Sequence, residues 1–250
     1  SGAVEHSGHK ILTLPSHAGK VEAEEVERYI TDFYRDDTYE HMVAPGMLYI
    51  TQPTEYGTIY SLAELETLSN LCHAHNIPLY IDGARLGYAL ACDEADFTLA
   101  DIARLADVFY IGGTKAGALF GEAVVARDPQ RLPHFFPLVK QHGALLAKGR
   151  LQGVQFGTLF TDNLYVRIAR HAVLMAQKLR KAFVAKGYKM AIDSPTNQQF
   201  VVLPNEELDR LQQYASFELW GPRGEKATTV RFVTSWATDE ADVDAFIEVV

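Results

Sequence analysis

The chain has 250 residues, of which 48% are apolar and 22% charged, enough for one large core or one core with a smaller appendage. A net charge of −9 and the absence of a concentrated Lys/Arg block argue against a nucleic-acid-binding protein. No apolar run approaches the ~18 residues that a membrane-spanning helix requires. We therefore expect a cytoplasmic protein that binds neither nucleic acid nor a membrane.

The first two-thirds of the sequence alternates helix and strand patterns, which is typical of an α/β sheet with crossover helices. Ser61 and Glu64 form a capping box that predicts where one of these helices begins. The pattern predicts helices over 21–36, 61–76, 86–92 and 98–105. Between and after them it predicts strands over 47–52, 78–82, 107–111 and 120–126.

The last third begins with a predicted long helix over 162–186, for which Gly187 is a suitable C-terminal cap. Before it, the Pro- and Phe-rich segment 132–150 is predicted to be a surface loop that would suit a subunit interface. Short strands follow over 190–192, 200–203, 216–220 and 229–234, and a helix starts near 239. This change of pattern predicts a large domain over 1–185 and a small α+β domain over 186–250.

Cysteine and histidine positions argue against a disulfide or a metal site. Cys72 lies in a predicted helix and Cys92 directly after one, so we expect both thiols to be reduced and packed. His73 and His75 lie at a helix end and point to different sides, which argues against their binding a metal. We therefore expect no bound metal.

Two predicted strands end in small-residue turns that each present a charged side chain. Asp82 closes a strand that we expect to be buried on both faces, and Lys115 follows Gly112 and Gly113 at the end of the strand over 107–111. Neighbouring strands could hold this carboxylate and this amine in one crevice. An enzyme that uses pyridoxal 5'-phosphate (PLP) needs an amine for the aldehyde and an acid for the ring nitrogen.

Each of these charged residues, taken alone, could instead have an ordinary structural role. Lys115 could be a solvated lysine, and Asp82 could cap a helix or pair with Arg85. The planar guanidinium of Arg85 suits a carboxylate or a phosphate. Arg231 lies in a strand that is otherwise apolar, so it either pairs with an internal acid or binds an anionic ligand.

Segments 82–85, 112–115 and 230–236 resemble, in order, motifs of the threonine aldolase group of the β-eliminating lyase family. Segments 2–10 and 54–58 are also similar to this group, so the resemblance covers nearly the whole chain. It implies the PLP fold type I of aspartate aminotransferase, with a mostly parallel sheet flanked by helices and a smaller C-terminal α+β domain. Family members have a further segment, with a phosphate-binding turn and a ring-stacking histidine, before the point that matches residue 1, so we expect the large domain to lack its N-terminal part.

The resemblance also implies a cofactor site. Lys115 would be the catalytic residue and would bond to the PLP aldehyde. Asp82 would pair with the pyridine nitrogen, and Ala84 would contact the cofactor. Arg150 matches a loop that approaches the cofactor phosphate of a neighbouring subunit, which implies a homodimer or homotetramer with shared active sites.

The implied substrate is a small amino acid whose carboxylate would bind Arg85 and Arg231. The implied activity is that of a low-specificity threonine aldolase, a lyase that cleaves L-threonine and L-allo-threonine to glycine and an aldehyde. Two alternatives stay open: another fold-type-I PLP lyase that acts by β-elimination, and a catalytically silent subunit with the same fold.

Overall fold

The computed structural model describes residues 2–250, apart from the side chain of Arg131. Its α-helices are α1 Ala3–His6, α2 Ala23–Arg35, α3 Leu62–Ala74, α4 Leu86–Leu90, α5 Leu99–Leu105, α6 Phe135–Gln141, α7 Arg150–Phe160, α8 Leu164–Ala185, α9 Asn205–Leu211 and α10 Glu240–Val249. Its strands are β1 Leu48–Thr51, β2 Leu79–Asp82, β3 Val108–Gly112, β4 Glu122–Ala126, β5 Lys189–Ile192, β6 Gln198–Pro204, β7 Glu218–Leu219 and β8 Ala227–Val233. Within this range no helix combines the length and the hydropathy that crossing a membrane requires.

The strands form two sheets. The first has the order β1-β2-β3-β4, with β1, β2 and β3 parallel and β4 antiparallel to β3. The second has the order β5-β6-β8-β7, and all its pairs are antiparallel. The predicted α/β class with a mostly parallel sheet is therefore confirmed, whereas the domain boundary after residue 185 stays a prediction.

One face of the first sheet carries the larger core. Alternate strand residues such as Leu79, Ile81, Phe109 and Ile111 are buried there beneath helices that include α3 and α5. Full burial of each such side chain stabilises the fold by roughly 1.5–3 kcal/mol. Since β2 and β3 are parallel neighbours, their carboxyl ends meet at the same edge of this core.

The opposite face of the same sheet is only half covered. Tyr49, Tyr80 and Tyr110 lie side by side on this face, and 48% of Tyr49 is exposed. The prediction that the strand ending at Asp82 is buried on both faces is therefore wrong, because β2 alternates buried and half-buried residues. The rings of Tyr49 and Tyr80 instead stack on each other, with centroids 5.1 Å apart.

A second core lies between the second sheet and the helices α8 and α10. Phe183 of α8 contacts Phe232 of β8 with ring centroids 5.1 Å apart, and Phe246 of α10 completes the cluster. The predicted cap of α8 is present, since Gly187 follows this helix with a φ of +84°. Upstream, the capping box of Ser61 is also present.

Segment 132–150 differs from the prediction. It contains α6, and Arg150 is the first residue of α7 rather than part of a loop. The sequence hid α7 because its apolar residues do not follow one stripe: Leu151 and Val154 are exposed, and Phe156 is buried. Cys72 and Cys92 are buried free thiols, as predicted.

Candidate active site

The turns that follow β2 and β3 pack directly against each other. The backbone N–H of Gly112 donates a hydrogen bond of 2.8 Å to the carbonyl oxygen of Gly83. A Cβ atom at Gly112 would lie 2.2 Å from the carbonyl oxygen of Ala84, so only glycine permits this approach. The turn after Asp82 and the turn that contains Lys115 therefore form one unit at the carboxyl ends of the parallel strands.

Tyr165 of α8 connects the two turns through hydrogen bonds to their backbone. Its buried hydroxyl donates to the carbonyl oxygen of Gly112 at 2.9 Å and accepts from the N–H of Gly87 at 3.0 Å. Burial raises the pKa of Tyr165, so the hydroxyl remains a donor throughout the physiological range. No pattern in the sequence pointed to this residue.

The turn that carries Lys115 has fixed backbone contacts. Glu122 of β4 accepts hydrogen bonds from the N–H of Gly113 at 2.6 Å and from the hydroxyl of Thr114 at 3.1 Å. On the other side, the hydroxyl of Tyr88 donates to the carbonyl oxygen of Lys115. These hydrogen bonds hold the backbone of the turn in place, whereas Lys115 itself is an exposed residue.

The Asp82 carboxylate is oriented by donors on both of its oxygens. The N–H of Ala84 donates to Oδ1 at 2.9 Å, and the hydroxyl of Tyr49 donates to Oδ2. Tyr110 also hydrogen-bonds to this carboxylate. Burial, and then the hydrogen bond to Asp82, raises the pKa of both Tyr49 and Tyr110 well above the usual range, so both phenols stay protonated.

The sequence did contain a signal for these tyrosines. Tyr49, Tyr80 and Tyr110 each stand two residues before the last residue of their strand, which places them on one face of the sheet together with Asp82. Tyr80 contributes no hydrogen bond to Asp82, but burial and then the nearby carboxylate raise its pKa to about 12. The repeated position identifies an aromatic layer beside the carboxylate.

Arg85 and Arg231 come together on a single carboxylate. Nη1 of Arg85 lies 3.3 Å from Oε1 of Glu55, and Nη1 of Arg231 lies 3.8 Å from Oε2 of the same residue. The two arginine side chains are only 14% and 11% exposed, whereas that of Glu55 is 60% exposed. The turn after β2 and the strand β8 of the other sheet therefore bring two largely buried guanidinium groups to one carboxylate.

The remaining contacts of Arg231 hold it in place. Its Nη1 donates to the side-chain oxygen of Gln198 at 2.9 Å, its Nη2 pairs with Glu218, and its guanidinium carbon lies 4.8 Å from the ring centroid of Trp220. Among the described residues, its buried Nε has no hydrogen-bond partner. Arg231 therefore pairs with acids of the protein itself, one of the two alternatives that the sequence left open, although the side chains of Glu55 and Glu218 are both exposed.

Arg150 differs from the other residues singled out in the sequence. It is an exposed residue at the start of α7, and no hydrogen bond or ion pair within the described range joins it to Asp82, Lys115 or Arg85. Its contact with a cofactor phosphate stays a prediction.

The residues present fit PLP. An amine able to bond to the aldehyde and a carboxylate able to pair with the ring nitrogen lie on two turns that pack together. Ala84 lies in the turn that follows Asp82, and its contact with a cofactor stays a prediction. The two arginines with their shared carboxylate lie next to this unit, since Arg85 follows Ala84 in the chain.

Comparisons with known proteins identify the family of this chain. The family model described as beta-eliminating lyase matches residues 1–206. A low specificity L-threonine aldolase from a Pseudomonas species is 31% identical over 245 residues, which are 95% of this chain and 67% of that protein. The solved structure of Leishmania major threonine aldolase has a TM-score of 0.94 and 41% identity, and it covers 99% of this chain and 71% of that one.

A more distant structure identifies the wider fold. A double mutant of Thermus thermophilus aspartate aminotransferase has a TM-score of 0.62 at 17% identity, over 91% of this chain and 59% of that one. The chain spans 67% of the Pseudomonas protein. Its fold is PLP fold type I, as the motifs predicted, and the chain belongs to the beta-eliminating lyase family.

Proposed function

We propose that the protein is a PLP-dependent threonine aldolase that cleaves L-threonine and L-allo-threonine to glycine and acetaldehyde. The observation that carries the proposal is the convergence of Arg85 and Arg231 on one carboxylate, directly beside the packed turns of Asp82 and Lys115. An α-amino acid presents a carboxylate and an amine on one carbon. The two arginines would bind the carboxylate, and the amine would bond to the aldehyde of bound PLP. Similarity to the Pseudomonas and Leishmania threonine aldolases supports the same reaction.

The cofactor would be held by residues of both turns. Lys115 would bond to its aldehyde, the Asp82 carboxylate would pair with the ring nitrogen, and Ala84 would contact the ring. Arg150 would reach the cofactor phosphate of a neighbouring subunit. When bound, PLP supplies an electron sink for the electrons of the breaking Cα–Cβ bond.

The protein itself would orient the reactants. Arg85 and Arg231 would bind the substrate carboxylate and thereby set the Cα–Cβ bond perpendicular to the cofactor ring. Of the two, Arg231 is held by Gln198, Glu218 and Trp220. Tyr49 would hold the Asp82 carboxylate in the direction that the ring nitrogen requires. These contacts restrict the substrate to one orientation, which lowers the entropic part of the barrier.

We further propose a cytoplasmic homodimer or homotetramer with shared active sites, in which residues 1–185 and 186–250 act as two domains. Phe135, Phe136 and Leu138 of α6 are exposed apolar side chains, and a subunit interface would bury them. Sedimentation of Phe136→Glu tests this assignment, because a charge at the interface shifts the protein towards monomer. An unchanged sedimentation coefficient would remove α6 from the interface.

The activity is tested with the purified chain loaded with PLP and supplied with L-threonine. We expect acetaldehyde and glycine in equal amounts, and Lys115→Ala should lose both the product and the absorbance of the covalently bound cofactor. L-serine serves as the comparison substrate, because its β-elimination yields pyruvate and would indicate the alternative lyase. Bound PLP without either product would indicate a catalytically silent subunit.

A further inference from the structure

Glu55 lies over the two arginines from the solvent side. Its side chain is 60% exposed and both guanidinium groups are largely buried. An exposed carboxylate on two buried guanidinium groups has the position of a bound ligand, whereas a structural ion-pair partner would itself be buried. It therefore stands where the carboxylate of an amino-acid substrate would bind.

The contacts of Glu55 are long. The N–O distances of 3.3 Å and 3.8 Å exceed the roughly 2.7–2.9 Å of a well-formed charge-assisted hydrogen bond. A free carboxylate is not attached to the backbone and can approach the planar guanidinium groups in the bidentate geometry that they favour. The site is thus occupied by a weak internal ligand that a better one can displace.

The backbone that carries Glu55 is fixed. The N–H of Gly57 donates to the carbonyl oxygen of Thr54 at 2.9 Å, which closes a turn around Glu55. The hydroxyls of Ser194 and Thr196 then donate to the carbonyl oxygen of Gly57 at 3.0 Å and 3.1 Å. Breaking both Glu55 ion pairs therefore requires only a rotation of the Glu55 side chain, which takes nanoseconds or less at an exposed position. Arg231 keeps its contacts with Gln198 and Glu218 when this happens.

We propose that Glu55 is an internal competitor of the substrate carboxylate: it pairs with Arg85 and Arg231 in the free enzyme and rotates into solvent when an amino acid binds. The proposal rests on the proposed function for the identity of the substrate. It also assigns a specificity role, because an amine without a carboxylate has no group with which to displace Glu55. Only ligands whose carboxylate replaces the ion pairs of Glu55 with Arg85 and Arg231 would bind fully at this site.

The test is equilibrium binding of glycine and of acetate to the PLP-loaded full chain, measured by calorimetry for wild type and Glu55→Gln. Removal of the competing charge should tighten both ligands roughly threefold to tenfold, as loss of two partly exposed ion pairs predicts. The matched control is Glu240→Gln, which removes the charge of another exposed acid, one paired with Lys178. This control should leave both affinities within the error of wild type.

A second comparison distinguishes a Glu55 that competes with the ligand carboxylate from a Glu55 that positions the two arginines. In an Arg85→Ala background, the change at Glu55 should alter the affinity for acetate much less, since one of its two partners is gone. If Glu55 merely positions the arginines, Glu55→Gln weakens glycine and acetate binding, and this result overturns the proposal. Absence of threonine cleavage by wild type, together with tighter acetate binding by Glu55→Gln, would reject the proposed aldolase function and keep the competitor.

Discussion

The hydroxyl of Tyr165 lies 2.9 Å from the carbonyl oxygen of Gly112, and it joins the long helix α8 to the strand end that precedes Lys115. The same hydroxyl accepts from the N–H of Gly87, which follows the turn of Asp82. One buried phenol thus connects both turns of the candidate cofactor site. The geometry of that site depends on a residue whose hydroxyl bonds to the backbone of the two turns rather than to the Lys115 amine or the Asp82 carboxylate.

Replacement of Tyr165 by phenylalanine should lower the stability of the protein. The change leaves the N–H of Gly87 and the carbonyl of Gly112 without this partner in a buried position, which costs about 1–3 kcal/mol of unfolding free energy. Urea denaturation monitored by circular dichroism measures the difference. Tyr214→Phe is the control, since Tyr214 is exposed and its substitution should stay within about 0.5 kcal/mol. Equal midpoints for both variants would contradict the structural role of Tyr165.

Gly112 should not tolerate even one added methyl group. A Cβ atom would meet the carbonyl oxygen of Ala84 at 2.2 Å, and that backbone atom cannot rotate away as a side chain could. We expect Gly112→Ala to lose about 1–3 kcal/mol of stability and to bind PLP more weakly, because the two turns must separate. Thermal unfolding and equilibrium dialysis with PLP measure the two effects.

The control for this substitution is Gly153→Ala in α7. A Cβ atom there would have no neighbour within 4 Å, and alanine favours a helix over glycine by about 0.5–1 kcal/mol. Gly153→Ala should therefore raise the unfolding temperature slightly while Gly112→Ala lowers it. A Gly112→Ala protein as stable as wild type would show that the turns are not packed as described.

Both cysteines should be unreactive in the folded protein. Burial raises the pKa of Cys72 and of Cys92 from 9.0 to about 12, so both thiols are protonated at pH 8 and the nucleophilic thiolate is scarce. Since the folded pKa is raised, the stabilisation from keeping the thiols neutral is complete below pH 9 and is lost as the pH rises towards 12. A chromogenic disulfide reagent at pH 8 should detect both thiols after denaturation and neither before it.

The charged ends of the central strands could be predicted from the sequence because their signals are local. A short apolar run followed by a small-residue turn identifies the positions of Asp82 and Lys115 within a window of a few residues. The capping box at Ser61 is equally local. Parallel pairing then follows from the alternation of helices and strands, and it brings the two strand ends to one edge.

Long-range contacts explain what the sequence did not reveal. Tyr165 is 78 residues from Gly87 in the chain. Glu55 follows a strand of the first sheet, whereas Arg231 lies in the second sheet. No short window of sequence contains either pair. The helix α7 was missed for a different reason. Only one side of it is packed, and Gly153 and Gly157 lower its helical propensity, so neither periodicity nor composition indicated a helix.

The hydrogen bond from Tyr49 to Asp82 leads to a prediction that does not require turnover. Tyr49→Phe keeps the ring that stacks on Tyr80 but removes a donor to the carboxylate, so Asp82 is less firmly oriented towards the cofactor. We expect the dissociation constant of PLP to rise about fivefold, the equivalent of one hydrogen bond of about 1 kcal/mol. Equilibrium dialysis measures this constant directly.

The matched control is Tyr80→Phe, which lies in the same aromatic layer. Tyr80 stacks on Tyr49 and meets Tyr110 at a tilt, but it forms no hydrogen bond with Asp82, so its hydroxyl contributes nothing to the orientation of the carboxylate. The PLP affinity of Tyr80→Phe should therefore match that of wild type. If the two variants bind PLP equally well, packing of the aromatic layer rather than hydrogen bonding fixes Asp82, and the orienting role of the Tyr49 hydroxyl is wrong.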